Sequence, residues 1–162
     1  MLPFFALSRA LVTFTAQNYG AGKNERLRQG LFQTCLLSLG IGVFMAVFNW
    51  FTAGPISSLF IKDNLEAVAL AKQYLFFTGF TVFILGIMLT FRSFLQGIGM
   101  RRAPTLCAIM ETAMSILAVI VLIPKLGFLG VCLVNPLSWL ASGITIYIAY
   151  EVYRRKLIKN VI

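Results

Sequence analysis

Histidine is absent from this sequence, and only five carboxylates occur in it: Glu25, Asp63, Glu66, Glu111 and Glu151. So few titratable groups leave almost nothing for general acid-base or triad chemistry, and the chain is not expected to be an enzyme. Cysteine is scarce as well. Cys35, Cys107 and Cys132 each stand alone in an apolar stretch, with no CxxC spacing and no histidine to complete a metal site. They are expected to be inert packing residues, and no metal or other cofactor is expected.

Charge is the third shortage. Charged residues make up 12% of the 162 positions and hydrophobic residues 59%, with a mean hydropathy of +0.88. Soluble domains carry about 25% charged residues, so the natural solvent of this chain is lipid and the expected class is an all-α integral membrane protein. The net charge of +9 would suggest nucleic acid if the basic residues formed one stripe. They fall instead in short clusters between apolar runs, so membrane lipid is the expected partner and nucleic acid is not.

Long apolar runs are what the sequence has in abundance. A hydrocarbon core about 30 Å thick needs roughly 20 apolar helical residues, and four segments qualify, near 30–52, 68–95, 104–124 and 128–150. A fifth piece, residues 2–17, is shorter and carries Arg9, so it is expected to be a truncated helix that does not span alone. Between the runs stand Lys23, Arg26 and Arg28, then Lys62, then Arg101 and Arg102, then Lys125, and finally a basic tail, 151–162, with Arg154, Arg155, Lys156 and Lys159. Basic residues are retained in the cytoplasm, so the first and third connections and the tail are expected inside, in a multi-pass protein of the cell membrane.

Local punctuation refines this plan. Gly54-Pro55-Ile56-Ser57-Ser58 is expected to break the chain into an outer loop, with Asp63-Asn64 capping the next helix. Gly127 and Gly130 are expected to flank the entry to the last helix. Trp50, Tyr74, Tyr147, Tyr150 and Tyr153 are expected near helix ends at headgroup level, with Trp139 the exception at mid-helix. No internal repeat is expected.

A few polar positions within the runs invite functional readings. Glu111 follows Arg102 by nine residues, roughly 13 Å of helix, and Arg9 precedes Gln17 by eight, roughly 12 Å. Their matching depth leads to the expectation that the two pair across the bundle interior. Asn135-Pro136 lies inside the last helix, where proline frees a carbonyl, giving a kink or a cavity-lining hinge. Ser38 with Gly42, and Ser138 with Ser142, are small residues one turn apart that allow close helix approach. Gly20-Ala21-Gly22-Lys23 is not a phosphate-binding loop, because Gln17 and Asn24 stand where that loop needs glycine and Ser or Thr. Gly97-Ile98-Gly99 lacks the third glycine of a dinucleotide fingerprint and is expected to be a connection.

Gln17-Asn18-Tyr19-Gly20-Ala21-Gly22-Lys23, followed by Glu25-Arg26 and Gly30, resembles the motif after the second helix of each lobe in the multidrug and toxic compound extrusion (MATE) family. Leu59-Phe60 through Asp63 and Ala71 to Tyr74-Leu75, and then Leu95-Gln96-Gly97-Ile98-Gly99 to Pro104, resemble later stretches of that family in order and spacing. Gly127-Phe128-Leu129-Gly130-Val131 and the basic tail resemble its last helix. The resemblance covers essentially the whole chain and implies residues 1–162 as a partial C-terminal lobe, from the end of helix 8 through helix 12 of a twelve-helix, two-lobe transporter.

It further implies export of cationic or amphipathic drugs in exchange for Na+ or H+, by alternating access, with the N-terminal lobe as the missing partner. Arg9, Glu111, Asn135 and Pro136 are then the candidate cavity residues, and Gln17, Asn18, Gly20, Gly22, Arg26, Gln96, Gly97, Gly99 and Pro104 the motif positions. The acidic residue that often serves ion coupling in the first helix has no counterpart here. Two alternatives remain: a lipid-linked saccharide flippase, which lines its cavity with basic residues such as Arg9, and a small autonomous membrane protein forming homo-oligomers or serving a larger complex without catalysis.

Overall fold

The computed structural model describes residues 1–60 and 64–159. Lys62 and Asp63 of the expected outer loop lie outside the described residues. Five helices follow one another: α1 (Leu2–Gly20), α2 (Asn24–Phe60), α3 (Leu65–Gly97), α4 (Arg102–Leu126) and α5 (Phe128–Lys159). The chain is an all-α membrane protein. α2, α3, α4 and α5 are long and apolar enough to cross a membrane, while the 19-residue α1 is not among these spans.

Helices are the expected outcome, because a lipid environment offers no water to unpaired backbone groups. The same constraint explains how polar side chains are tolerated along them. Thr34 donates to the Gly30 carbonyl at 2.7 Å, Asn49 to Met45 at 2.9 Å, Thr52 to Phe48 at 2.7 Å and Ser57 to Ala53 at 2.6 Å, each one turn back on its own helix.

That back-bonding also corrects the expected break at Gly54–Ser58. α2 runs straight through it, with Pro55 inside the helix, and ends at Phe60. Ser58 donates to the Pro55 carbonyl at 3.0 Å, so the breaker cluster supplies some of its own hydrogen bonds. Trp50 is therefore ten residues inside α2, not at its end, and packs on Phe76 and Phe80 with ring centroids 5.1 and 6.0 Å away. At the other end of the chain, α5 continues to Lys159, so most of the expected tail is helical. Asn64 caps α3 as expected, its side chain accepting from the Ala67 amide at 3.1 Å.

α3 is the hub, packing on all four other helices, whereas α1 and α4 do not touch. Close approaches give the register. On the α2 side, Cα positions 42 and 49 face 83 and 79, so α2 and α3 run antiparallel. On α1, Phe4 faces Gly86 and Thr15 faces Gly97, so α1 and α3 run parallel. α4 and α5 run antiparallel through Ser115 with Ser138 and Leu122 with Gly130. The result is an up-and-down bundle whose termini of like direction gather Lys23, Arg26, Arg28, Arg101, Arg102, Arg154 and Arg155 at one end.

Gly97 shows how tightly the helices meet. A Cβ there would sit 2.6 Å from the Thr15 Cβ and 2.8 Å from the Val12 carbonyl oxygen, while one at Gly20 would meet nothing within 4 Å. Gly97→Ala should therefore lower stability by about 1–3 kcal/mol through forced separation of α1 and α3. Gly20→Ala should be neutral or gain up to about 1 kcal/mol. Thermal unfolding of the two variants in mild detergent checks the contrast; equal stabilities would contradict the tight α1–α3 contact.

Candidate functional site

The motif positions of the sequence turn out to build helix ends. At the end of α1, the Lys23 amide donates to the Asn18 carbonyl at 2.9 Å and the Gly22 amide to Tyr19 at 3.0 Å. At the end of α3, the Met100 amide donates to Leu95 at 3.0 Å and the Gly99 amide to Gln96 at 3.0 Å. Both are Schellman caps, which place one residue in the left-handed region; Gly22 has φ +68° and Gly99 φ +86°. The Asn24 and Arg101 amides then return to the Gly22 and Gly99 carbonyls at 3.1 and 3.0 Å. The two Gly-x-Gly turns are thus the same device used twice, a local repetition not expected from the sequence.

Around these caps, Asn18 is buried and donates to the Phe14 carbonyl at 2.8 Å, which ties its side chain to α1 itself. Pro104 is buried in the first turn of α4, where its missing amide costs no helical bond. Gln17, Arg26 and Gln96 are exposed. These positions shape connections between helices.

The expected pair of Arg9 and Glu111 does not form. Arg9 is exposed on α1, which does not touch α4. Matching depth was a sound guide to level but carried no information about which helices are neighbours. Glu111 instead meets Arg92 of α3, with 3.8 Å between Nη1 and Oε2 and side chains each 31% exposed. Arg92 was missed although it stands in the sequence within the apolar run 68–95, five residues before Gly97. The signal was available: an arginine in a span is a functional candidate by default, with a partner to be named.

Near this ion pair, the Ser142 hydroxyl of α5 donates to the Cys107 carbonyl of α4 at 3.1 Å, and Ser115 and Ser138 share a hydrogen bond of 2.8 Å. Cys107 and Cys132 are fully buried, in keeping with packing roles. Deeper along α5, the Asn135 amide donates to the Tyr74 hydroxyl of α3 at 3.0 Å. Tyr74 is therefore a half-buried link between helices and not a free headgroup anchor. α5 stays helical through the buried Pro136. Asn135 and Pro136 thus sit together on α5, while Glu111 belongs to a separate ion pair and Arg9 to neither group.

Among the described residues no group of three or more His, Cys, Asp or Glu side chains is placed to hold a metal ion. What the arrangement offers is a single intramembrane charge pair. Its two charges offset each other while they face.

Removing one partner should leave the other charge stranded at depth. Because both side chains are about a third exposed, Arg92→Met or Glu111→Met alone should cost only about 1–2 kcal/mol. The double variant should lose less than the sum of the two. Thermal unfolding in detergent measures this, and strict additivity would show that the two residues are not coupled.

Comparison with known proteins adds three observations. The MatE family model matches residues 1–125. A probable multidrug resistance protein NorM of Oceanobacillus iheyensis (strain DSM 14371 / CIP 107618 / JCM 11309 / KCTC 3954 / HTE831) is 24% identical over 151 residues, covering 89% of this chain and 34% of that protein. The chain thus spans about a third of the length of this curated relative. No solved structure matches.

Proposed function

The chain belongs to the MatE family, and from that premise we propose that it forms the C-terminal lobe of a secondary active multidrug exporter rather than an enzyme. In this reading the whole transporter exchanges cationic or amphipathic compounds for Na+ or H+ by alternating access. The observation that carries it is the family match along residues 1–125, which runs from α1 through nearly all of α4.

Transport sites of such proteins are built where two repeats meet, and a single five-helix bundle provides one wall. An N-terminal lobe is the partner that would close the cavity. Many large apolar side chains remain exposed on this bundle, among them Phe32, Phe44, Phe51, Ile109 and Ile120, and lipid and a second lobe would share them.

The flippase alternative gains little. Arg92 and Lys72 add to Arg9 as basic residues within the helices, but Arg92 is offset by Glu111, and Lys72 lies near Gly54, toward the less basic end of the bundle. The basic end is assigned to the cytoplasm of the cell membrane on its charge excess.

The chain should be reconstituted into proteoliposomes alone and together with the N-terminal half of the Oceanobacillus relative, and ethidium movement followed under an imposed Na+ or proton gradient. Gradient-dependent transport is expected only when both lobes are present. Movement by the chain alone, with a stable homo-oligomer, would favour the autonomous protein; movement under neither condition would contradict the exporter. Separately, cysteines introduced at Lys23 and Arg101 in intact cells should react with a membrane-impermeant maleimide only after the cells are opened. Labelling from outside would reverse the assigned orientation.

A further inference from the structure

The basic end of the bundle holds a recess of about 340 Å³ between α2, α3 and α5. It falls at the lower limit of the roughly 300–1,000 Å³ typical of small-ligand sites. Its composition is layered. Leu27 and Phe94, both 5% exposed, belong to the hydrophobic core and form its apolar part, Tyr150 and Tyr153 line it from α5, and Arg28 of α2 and Arg154 of α5 complete the lining. Phe94 meets the Tyr150 ring edge-on at 5.8 Å, which fixes that wall.

Three features ask for an anion here. Arg28 has no ion-pair partner among the described residues. Arg154 spends one nitrogen on Glu151, at 3.0 Å, and the guanidinium fork has further donors to offer. Asn24, the first residue of α2, opens a helix N-terminus onto the same recess.

We propose that this recess binds the phosphate headgroup of an anionic phospholipid from the facing leaflet. Two guanidinium groups suit a phosphate diester, and the aromatic and apolar lining suits the glycerol and first methylenes beside it. A soluble phosphate would use the guanidinium groups but gain nothing from Leu27, Phe94 and the tyrosine rings. The proposal makes no use of the exporter reading, so it stands or falls apart from it.

The test uses the full 162-residue protein in neutral detergent, titrated with phosphatidylglycerol, with phosphatidylcholine, or with inorganic phosphate, and followed by native mass spectrometry and thermal stability. Phosphatidylglycerol should bind as one tightly retained lipid and raise the melting temperature, with phosphatidylcholine giving neither effect. Arg28→Gln and Arg154→Gln should each weaken its retention about fivefold. Arg28→Lys should keep part of it, which separates lost charge from lost fold. Arg101→Gln removes the same single charge from the same end outside the recess and should leave retention unchanged. An equal loss in that control would mean diffuse surface attraction and overturn the site. Inorganic phosphate that stabilises as well as the lipid, and displaces it, would overturn the lipid assignment in favour of a soluble anion.

Discussion

Close approach of backbones to α3 is the constraint on which the rest of this structure depends. In lipid there is no hydrophobic gain from bringing two apolar helices together, so association rests on contact area and interhelical hydrogen bonds. Gly42 of α2 sits against Phe83, Gly79 of α3 against Asn49, and Gly97 against α1, so each neighbour is held where a side chain would have kept it away. Ser38 shares a 3.0 Å hydrogen bond with Thr90 at the same interface, and Ser8 of α1 bonds to Ser93. Small residues thus position the helices, and hydroxyl pairs hold them in register.

That packing determines which charges can meet. α3 lies between α1 and α4, so Arg9 and Glu111 stay on opposite sides of it while Arg92, on α3 itself, reaches Glu111. The Asn135–Tyr74 bond joins α3 and α5 nearer the other end, so α3 also links the two polar groups of the bundle.

The connections follow a different logic. Gly22 and Gly99 close α1 and α3 with the same cap, and both turns lie at the basic end. Short capped turns of this kind keep neighbouring helices antiparallel and leave their arginines and lysines at one level. The recess near Arg28 and Arg154 arises there because α2 begins and α5 ends beside the buried Phe94. Gly22 and Gly99, read in the sequence as family signatures, are thereby explained as backbone requirements.

Much of the fold was legible in the sequence because hydropathy and helix length are local properties. The five helices, the Asn64 cap and the glycine turns could all be read from runs of neighbouring residues. The end of α2 could not, because Pro55 and Gly54 look like a loop unless the serine back-bonds are known. Nor could the partner of Glu111, since depth along a helix follows from residue number but adjacency between helices does not. By itself the sequence determined that this chain lives in lipid as helices with one strongly basic end. Only tertiary packing decided that Arg92 faces Glu111 and that Tyr74 meets Asn135, because those contacts depend on how small residues let α3 approach its neighbours.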